Sequence, residues 1–138
     1  MFNMPAAWER YVAAKVKLAL PQFEVTTAHK FEVSDAGHVA VADCLVSDAT
    51  EAVAVVDAKY KYQAKAPSSD DIYQMVTYCH RLGVPRAVLV YPAAGSDRLV
   101  HIGDIAIYVT GLGTGEATGG ASFESKLAAV MAATPASA

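Results

Sequence analysis

Cysteine is scarce in this 138-residue chain. Cys44 and Cys79 are only two, lack metal-ligand spacing and sit in apolar patterns. Buried free thiols in a reducing, cytoplasmic compartment are therefore expected. Long hydrophobic runs are missing as well. Although 54% of the residues are hydrophobic, no run approaches the roughly 18 residues of a spanning helix, so no membrane association is expected. The opening MFNMPAAWERYVAAK carries Trp8, Glu9, Arg10 and Lys15, which suits neither a signal h-region nor a transit peptide. Excess positive charge is lacking too: 11 Lys and Arg stand against 14 Asp and Glu, a formal charge of −3. A module that held nucleic acid by electrostatics alone would be basic. Any such role here needs a local basic patch, a metal ion or a partner.

Several catalytic signatures are also absent. His29, His38, His80 and His101 show no HExxH or other ligand spacing, which disfavours zinc. No G-x-S-x-G elbow supports a serine hydrolase. GLGTGEATGG is glycine-rich but matches neither GxGxxG nor a P-loop, and reads as a flexible linker.

What is present is enough sequence for one domain with a real core, since chains of this size bury roughly two-thirds of their unfolded surface. Trp8, Val12, Val16 and Ala19 recur at helical spacing over residues 4 to 19, and Pro21 stops the run. Three strands follow as a meander at 22–33, 38–46 and 52–60, separated by SDAG and SDATE. Ser68 with Asp71 resembles a capping box. The helix it opens runs from Asp70 to Leu82, ended by Gly83 and Pro85. RAVLVYP looks like a buried strand, RLVHIGDIAIYV like one more strand or a hairpin, and 122–133 like a last helix before an Ala/Pro/Ser tail. The order αβββαβ(β)α predicts an α/β domain with helices packed on a mixed sheet.

One stretch raises a chemical question. In VVDAKYKYQAK, residues 55 to 65, a strand patterned for burial ends on Asp57 and Lys59. Side chains alternate along a strand, so these two project to one face with Val55. Asp43 is a second acid inside an apolar strand, in VAVADCLV. A turn centred near 49 or 50 would set position 43 opposite 56 or 57, making the two carboxylates cross-strand neighbours. Carboxylates held that close repel unless a cation bridges them or a proton is shared. A divalent metal resolves the conflict, and Mg²⁺ takes one or two carboxylates plus waters and phosphate oxygens. A lysine beside it can orient or deprotonate an attacking water. Glu9, at the edge of the first helix's apolar stripe, is the candidate third acid. In KYKYQAK, Lys61 and Lys65 are candidate phosphate contacts and Tyr60 or Tyr62 candidate stacking residues, with an ordinary solvated loop as the equal alternative. Arg81 and Arg86 flank the helix–strand turn and are expected to be solvated, with an extension of the patch as the alternative.

Asp43, then Asp57-Ala58-Lys59 at a strand end, after a helix bearing Glu9, resembles the PD-(D/E)xK nuclease superfamily, whose core has this helix, meander, helix, strand order. More narrowly, VVDAKYK followed by DIYQMVTYCHRLGVPRAVLVYP, with the opening FNMPAAWERYV, is similar to the nuclease subunit of McrBC-type modification-dependent restriction systems. The likeness spans roughly residues 1 to 110. It implies a restriction-endonuclease-like core at 1–110, with 111–138 as a glycine-rich loop, a C-terminal helix packing on the core and a frayed tail. It further implies a DNA endonuclease using Mg²⁺, for which Mn²⁺ substitutes. By position, Asp43 and Asp57 would be metal ligands, Ala58 would offer its backbone carbonyl and Lys59 would be the catalytic lysine. Gln74 and Tyr78 match a Q-x-x-x-Y element on one helix face, placed to orient Lys59 or contact the DNA backbone. Partners implied are DNA, a GTP-driven motor subunit and a second copy of the chain. Two departures stand out: Ala42 replaces the namesake proline, and the region by which the restriction subunit engages its motor is lacking, as in an excised or minimal catalytic domain. A stand-alone or repair-type exonuclease of the QxxxY group, and a non-catalytic DNA-binding or assembly domain, are the alternatives.

Overall fold

The computed structural model describes residues 4–60, 68–92, 97–112 and 122–132. Helix α1 spans Met4–Ala19 and turns Trp8, Val12 and Val16 inward. Strands β1 (Glu24–Glu32), β2 (Val39–Ser47) and β3 (Ala52–Ala58) follow as the expected antiparallel meander. Helix α2 (Ser69–Leu82) begins where the Ser68 side chain accepts a hydrogen bond from the Asp71 N–H. It ends at Gly83, whose φ of 70° is a left-handed cap that a side chain would disfavour.

Strand β4 (Arg86–Tyr91) then crosses over to lie parallel to β3, and the hairpin reading of the next segment holds, with β5 (Arg98–Ile102) antiparallel to β6 (Ile105–Gly111). Helix α3 (Phe123–Ala132) closes the described chain. Together the described strands form a six-stranded mixed sheet ordered β1-β2-β3-β4-β6-β5. The continuous apolar runs of β3 and β4 put them at its centre, where both faces are covered. Every residue of β4 is buried.

Two apolar layers result. On one face Val56, Val88 and Val90 pack against Trp8, Val12 and Val16 of α1 and Phe123, Leu127 and Met131 of α3. On the other, Val55, Ala87 and Leu89 pack against Ile72, Met75 and Cys79 of α2. Cys44 and Cys79 lie one in each layer as buried free thiols, and burial pushes both up to about 12. No helix among the described residues is long and apolar enough to cross a membrane.

Arg86 departs from the solvated role expected of it. It is buried, and its guanidinium donates to the Met131 carbonyl at 3.0 Å. That carbonyl belongs to α3. Tyr60 sits half-buried against the α1 layer, its ring 6.5 Å from that of Trp8.

Candidate active site

The meander sets the geometry of the carboxylates. Cys44 pairs with Val56 across β2 and β3, so the next positions along, Asp43 and Asp57, face one another. A register irregularity at Val46/Ser47, beside the turn, makes this pairing possible with the turn length the sequence has. Asp57 shares the α2 face of β3 with Val55, as strand alternation requires. Asp43 lies where the alternation of β2 is interrupted, since Ala42 packs in the α2 layer and Cys44 in the α1 layer. Opposite it in β1, between the pairs Thr27–Cys44 and His29–Ala42, Ala28 adopts a left-handed φ of 52°. The acid thus stands at a local break in the ladder, reachable from the α1 side, and lines a groove there with Glu9.

Hydrogen bonds fix the rest. The Ala58 N–H donates to Asp43 Oδ2 at 2.8 Å, tying one carboxylate to the end of the neighbouring strand. Lys59 continues the ladder, its N–H donating to the Val90 carbonyl at 2.9 Å, and this holds its side chain beside Asp57. Lys59 Nζ lies 2.9 Å from Asp57 Oδ2 and also donates to Gln74 Oε1. Gln74 Nε2 in turn donates to the Tyr78 hydroxyl at 3.2 Å. Gln74 and Tyr78, four residues apart on α2, therefore act in series on the lysine. Tyr78 is 7% exposed and meets Phe31 edge to face at 5.0 Å. Its ring lies buried against Phe31 while its hydroxyl meets Gln74.

The electrostatics follow from crowding. Burial first, then the Asp57 charge, push Asp43 up to about 7, with the Ala58 N–H pulling the other way and Glu9 adding to the rise. Lys59 is pulled down by its own burial, but Asp57 beside it, and Asp71 further off, more than offset this and hold its ammonium above the usual range. The site therefore sets two facing carboxyl groups against one fixed ammonium, a crowding that holds Asp43 partly protonated near neutral pH.

Of the residues singled out in the sequence, Asp43, Asp57, Ala58, Lys59, Gln74 and Tyr78 come together. Glu9 is exposed on α1, close enough for its charge to act on Asp43. It does not complete a metal cage: among the described residues no three His, Cys, Asp or Glu converge as a ligand group. Lys61 and Lys65 lie outside the described residues. Arg81 is exposed and donates to the Glu32 carbonyl at 3.1 Å, bracing α2 against β1. Sequence reasoning missed Asp71. It is buried in the first turn of α2, accepts from the Tyr91 hydroxyl at 2.7 Å, and its charge reaches Lys59. Its place in the capping box was visible; its tie to a tyrosine twenty residues on was not.

A mixed sheet between α2 on one face and α1 with α3 on the other, with carboxylates meeting on the meander, defines the restriction-endonuclease-like class. A family model for the McrBC 5-methylcytosine restriction system component matches residues 1–92, and the chain belongs to that family. Among solved structures, it is similar to a chain in a refined half-complex from a tetradecameric assembly of Thermococcus gammatolerans McrB AAA+ hexamers with bound McrC. That match has a TM-score of 0.69 and 19% identity, covering 91% of this chain and 31% of the other. The chain thus spans about a third of the length of the protein it matches. No curated protein matches it at a significant level.

Proposed function

We propose that this chain is a divalent-metal-dependent DNA endonuclease domain, the phosphodiester-hydrolysing part of a McrBC-like restriction system. The observation that carries the reading is the meeting of Asp43 and Asp57 across β2 and β3, with Lys59 pinned beside Asp57 by Gln74. Membership of the McrBC family supports the restriction setting. The likeness to a McrB–McrC assembly supports a GTP-driven motor subunit as partner.

The donor set fits a hard divalent cation. Two facing carboxyl groups, joined by no third His, Cys, Asp or Glu among the described residues, suit Mg²⁺ or Mn²⁺, which keep water and take phosphate oxygens as further ligands. Asp43, Asp57 and the Ala58 carbonyl are the groups that would hold it, with Glu9 as an outer acid. When bound, such an ion lowers the pKa of a coordinated water and stabilises charge developing on the phosphate. The chain's own residues supply position and charge. Lys59, ammonium-charged in this setting, orients the attacking water by hydrogen bonding and steadies the negative charge of the transition state. Gln74 holds the lysine's head in place, and Tyr78 holds Gln74.

The test is cleavage of supercoiled and linear DNA in Mg²⁺, Mn²⁺ or EDTA by the wild type and by Lys59→Ala. The reading expects nicked and linear products from circles, abolished by EDTA and by the substitution. Products only from linear ends would establish an exonuclease instead. Metal-independent DNA binding that survives loss of Asp43, Asp57 and Lys59, without cutting, would establish a non-catalytic module.

A further inference from the structure

Beside the carboxylate pair a groove of about 420 Å³ opens between α1 and the β1–β2 hairpin. Its α1 wall is made by Arg10, Ala13, Ala14 and Lys17, and β1 contributes Thr27 and Ala28. We propose that this groove seats the sugar-phosphate backbone of the nucleic-acid strand leading to the reactive phosphate, with Arg10 and Lys17 as its phosphate contacts. The inference rests on the nuclease reading and adds to it the path of the substrate strand.

Spacing is the first argument. Positions 10, 13, 14 and 17 fall on one stripe of the helix, with a cation at each end and two alanines between. The small side chains keep the floor low, so a backbone can approach closely. Seven residues of helix separate the cations by ~10 Å. Phosphate charges of one strand recur every ~3.4 Å along a duplex axis, so cations this far apart reach different phosphates of the same strand.

Charge is the second. Lys15, on another side of α1, is engaged by Glu124 at 3.2 Å. Arg10 and Lys17 are exposed and make no ion pair among the described residues. They stand in a groove whose other charged lining groups are Glu9 and Asp43. The Glu9 charge acts on Asp43, so the acidic end lies by the early turns of α1 and Lys17 lies further along. A strand entering along the cations is thus led to the carboxylates. Those carboxylates repel phosphate until a divalent ion neutralises them, so the groove fills only with metal present. The volume, near the low end of ~300–1,000 Å³ for ligand clefts, is of the size to take a short stretch of sugar-phosphate backbone. Thr27, exposed on β1, adds a hydroxyl of the kind that positions phosphates without reading sequence.

The experiment is fluorescence anisotropy on the full chain with a short labelled DNA single strand and duplex, in Ca²⁺ and in EDTA, across a salt series. Wild type, Arg10→Ala/Lys17→Ala, Arg10→Lys and the control Lys15→Ala are compared, each checked by thermal melting. The double variant is expected to bind about tenfold more weakly in Ca²⁺, with the slope of log K against log salt reduced by about 1.4 for the single strand. In cleavage it should raise KM and leave kcat at saturating DNA within twofold. Arg10→Lys should retain most of the binding, and Lys15→Ala should match wild type. If wild type binds and cuts DNA while the double variant does the same with an unchanged slope, the groove assignment falls and the nuclease reading stands. If wild type neither binds nor cuts, both fall together.

Discussion

Two acid-centred networks in this fold make an instructive contrast. Asp97, at the start of β5, accepts from the Tyr108 hydroxyl at 2.7 Å and the Thr110 hydroxyl at 2.9 Å, and pairs with Lys126 of α3 at 2.8 Å. Partial burial alone would raise it, but the Lys126, Tyr108 and Thr110 donors prevail and hold it below the usual carboxylate range. Asp43 has one backbone donor, faces a second carboxylate and is pushed up to about 7. The first acid is saturated and ties α3 to the sheet. The second is left short of positive charge at a place reachable from outside. A fold that only had to be stable would not leave it so, because a carboxylate taken from water without full compensation is costly.

Substitutions can break or sharpen that contrast. The largest expected effect is on chemistry. Lys59→Ala should lower cleavage of supercoiled DNA per folded molecule by ~10³ or more, the scale on which preorganised charge at a transition state acts. Asp97→Ala should do the opposite. It should leave the cleavage rate per folded molecule unchanged and cost ~1–3 kcal/mol in denaturant unfolding, as hydrogen bonds to a charged group are lost and two hydroxyls are left without their acceptor. An equal loss of cleavage per folded molecule in both variants would erase the distinction drawn here.

Gln74→Ala should have an intermediate effect, about tenfold on kcat, because it frees the lysine without removing it; a wild-type rate would remove Gln74 from the site. The smallest effect concerns pH. A carboxyl raised from 3.8 to about 7 in the native state makes the fold progressively less stable as pH rises between those values. Asp43→Asn should therefore stabilise the metal-free protein at pH 8, by about 1 kcal/mol once screening of this half-buried group is allowed for. The gain should fade as pH falls towards 4. A variant equally destabilised at both ends of that range would contradict the strained pair.

Much of this was legible in the chain because the signals are local. The apolar spacing of Trp8, Val12 and Val16, the Ser68 cap and Gly83 fix α1 and α2 through interactions within a few residues. The hairpin argument brought Asp43 opposite Asp57 because register follows from turn position, and it succeeded although the Val46/Ser47 irregularity was not visible. Strand ends were less legible: the first strand begins at Glu24, two residues later than expected, and the third stops at Ala58, two residues earlier. What could not be read were pairings between distant segments. Arg86 reaching the Met131 carbonyl, Tyr91 reaching Asp71 and Tyr60 settling beside Trp8 each depend on how helices dock on the sheet, which no periodicity encodes. Within Q-x-x-x-Y, the one-face geometry was legible and the burial of Tyr78 under Phe31 was not.

The central claim is that Asp43 and Asp57 together form one divalent-metal centre. Calorimetric titration of Mn²⁺ into the metal-free protein, beside Asp43→Asn and Asp57→Asn, tests it most directly. The account predicts one ion per chain, with affinity at least tenfold weaker in either variant and heat that carries proton release from Asp43 near pH 6. Binding of the same affinity in all three proteins, or none in the wild type, would contradict it.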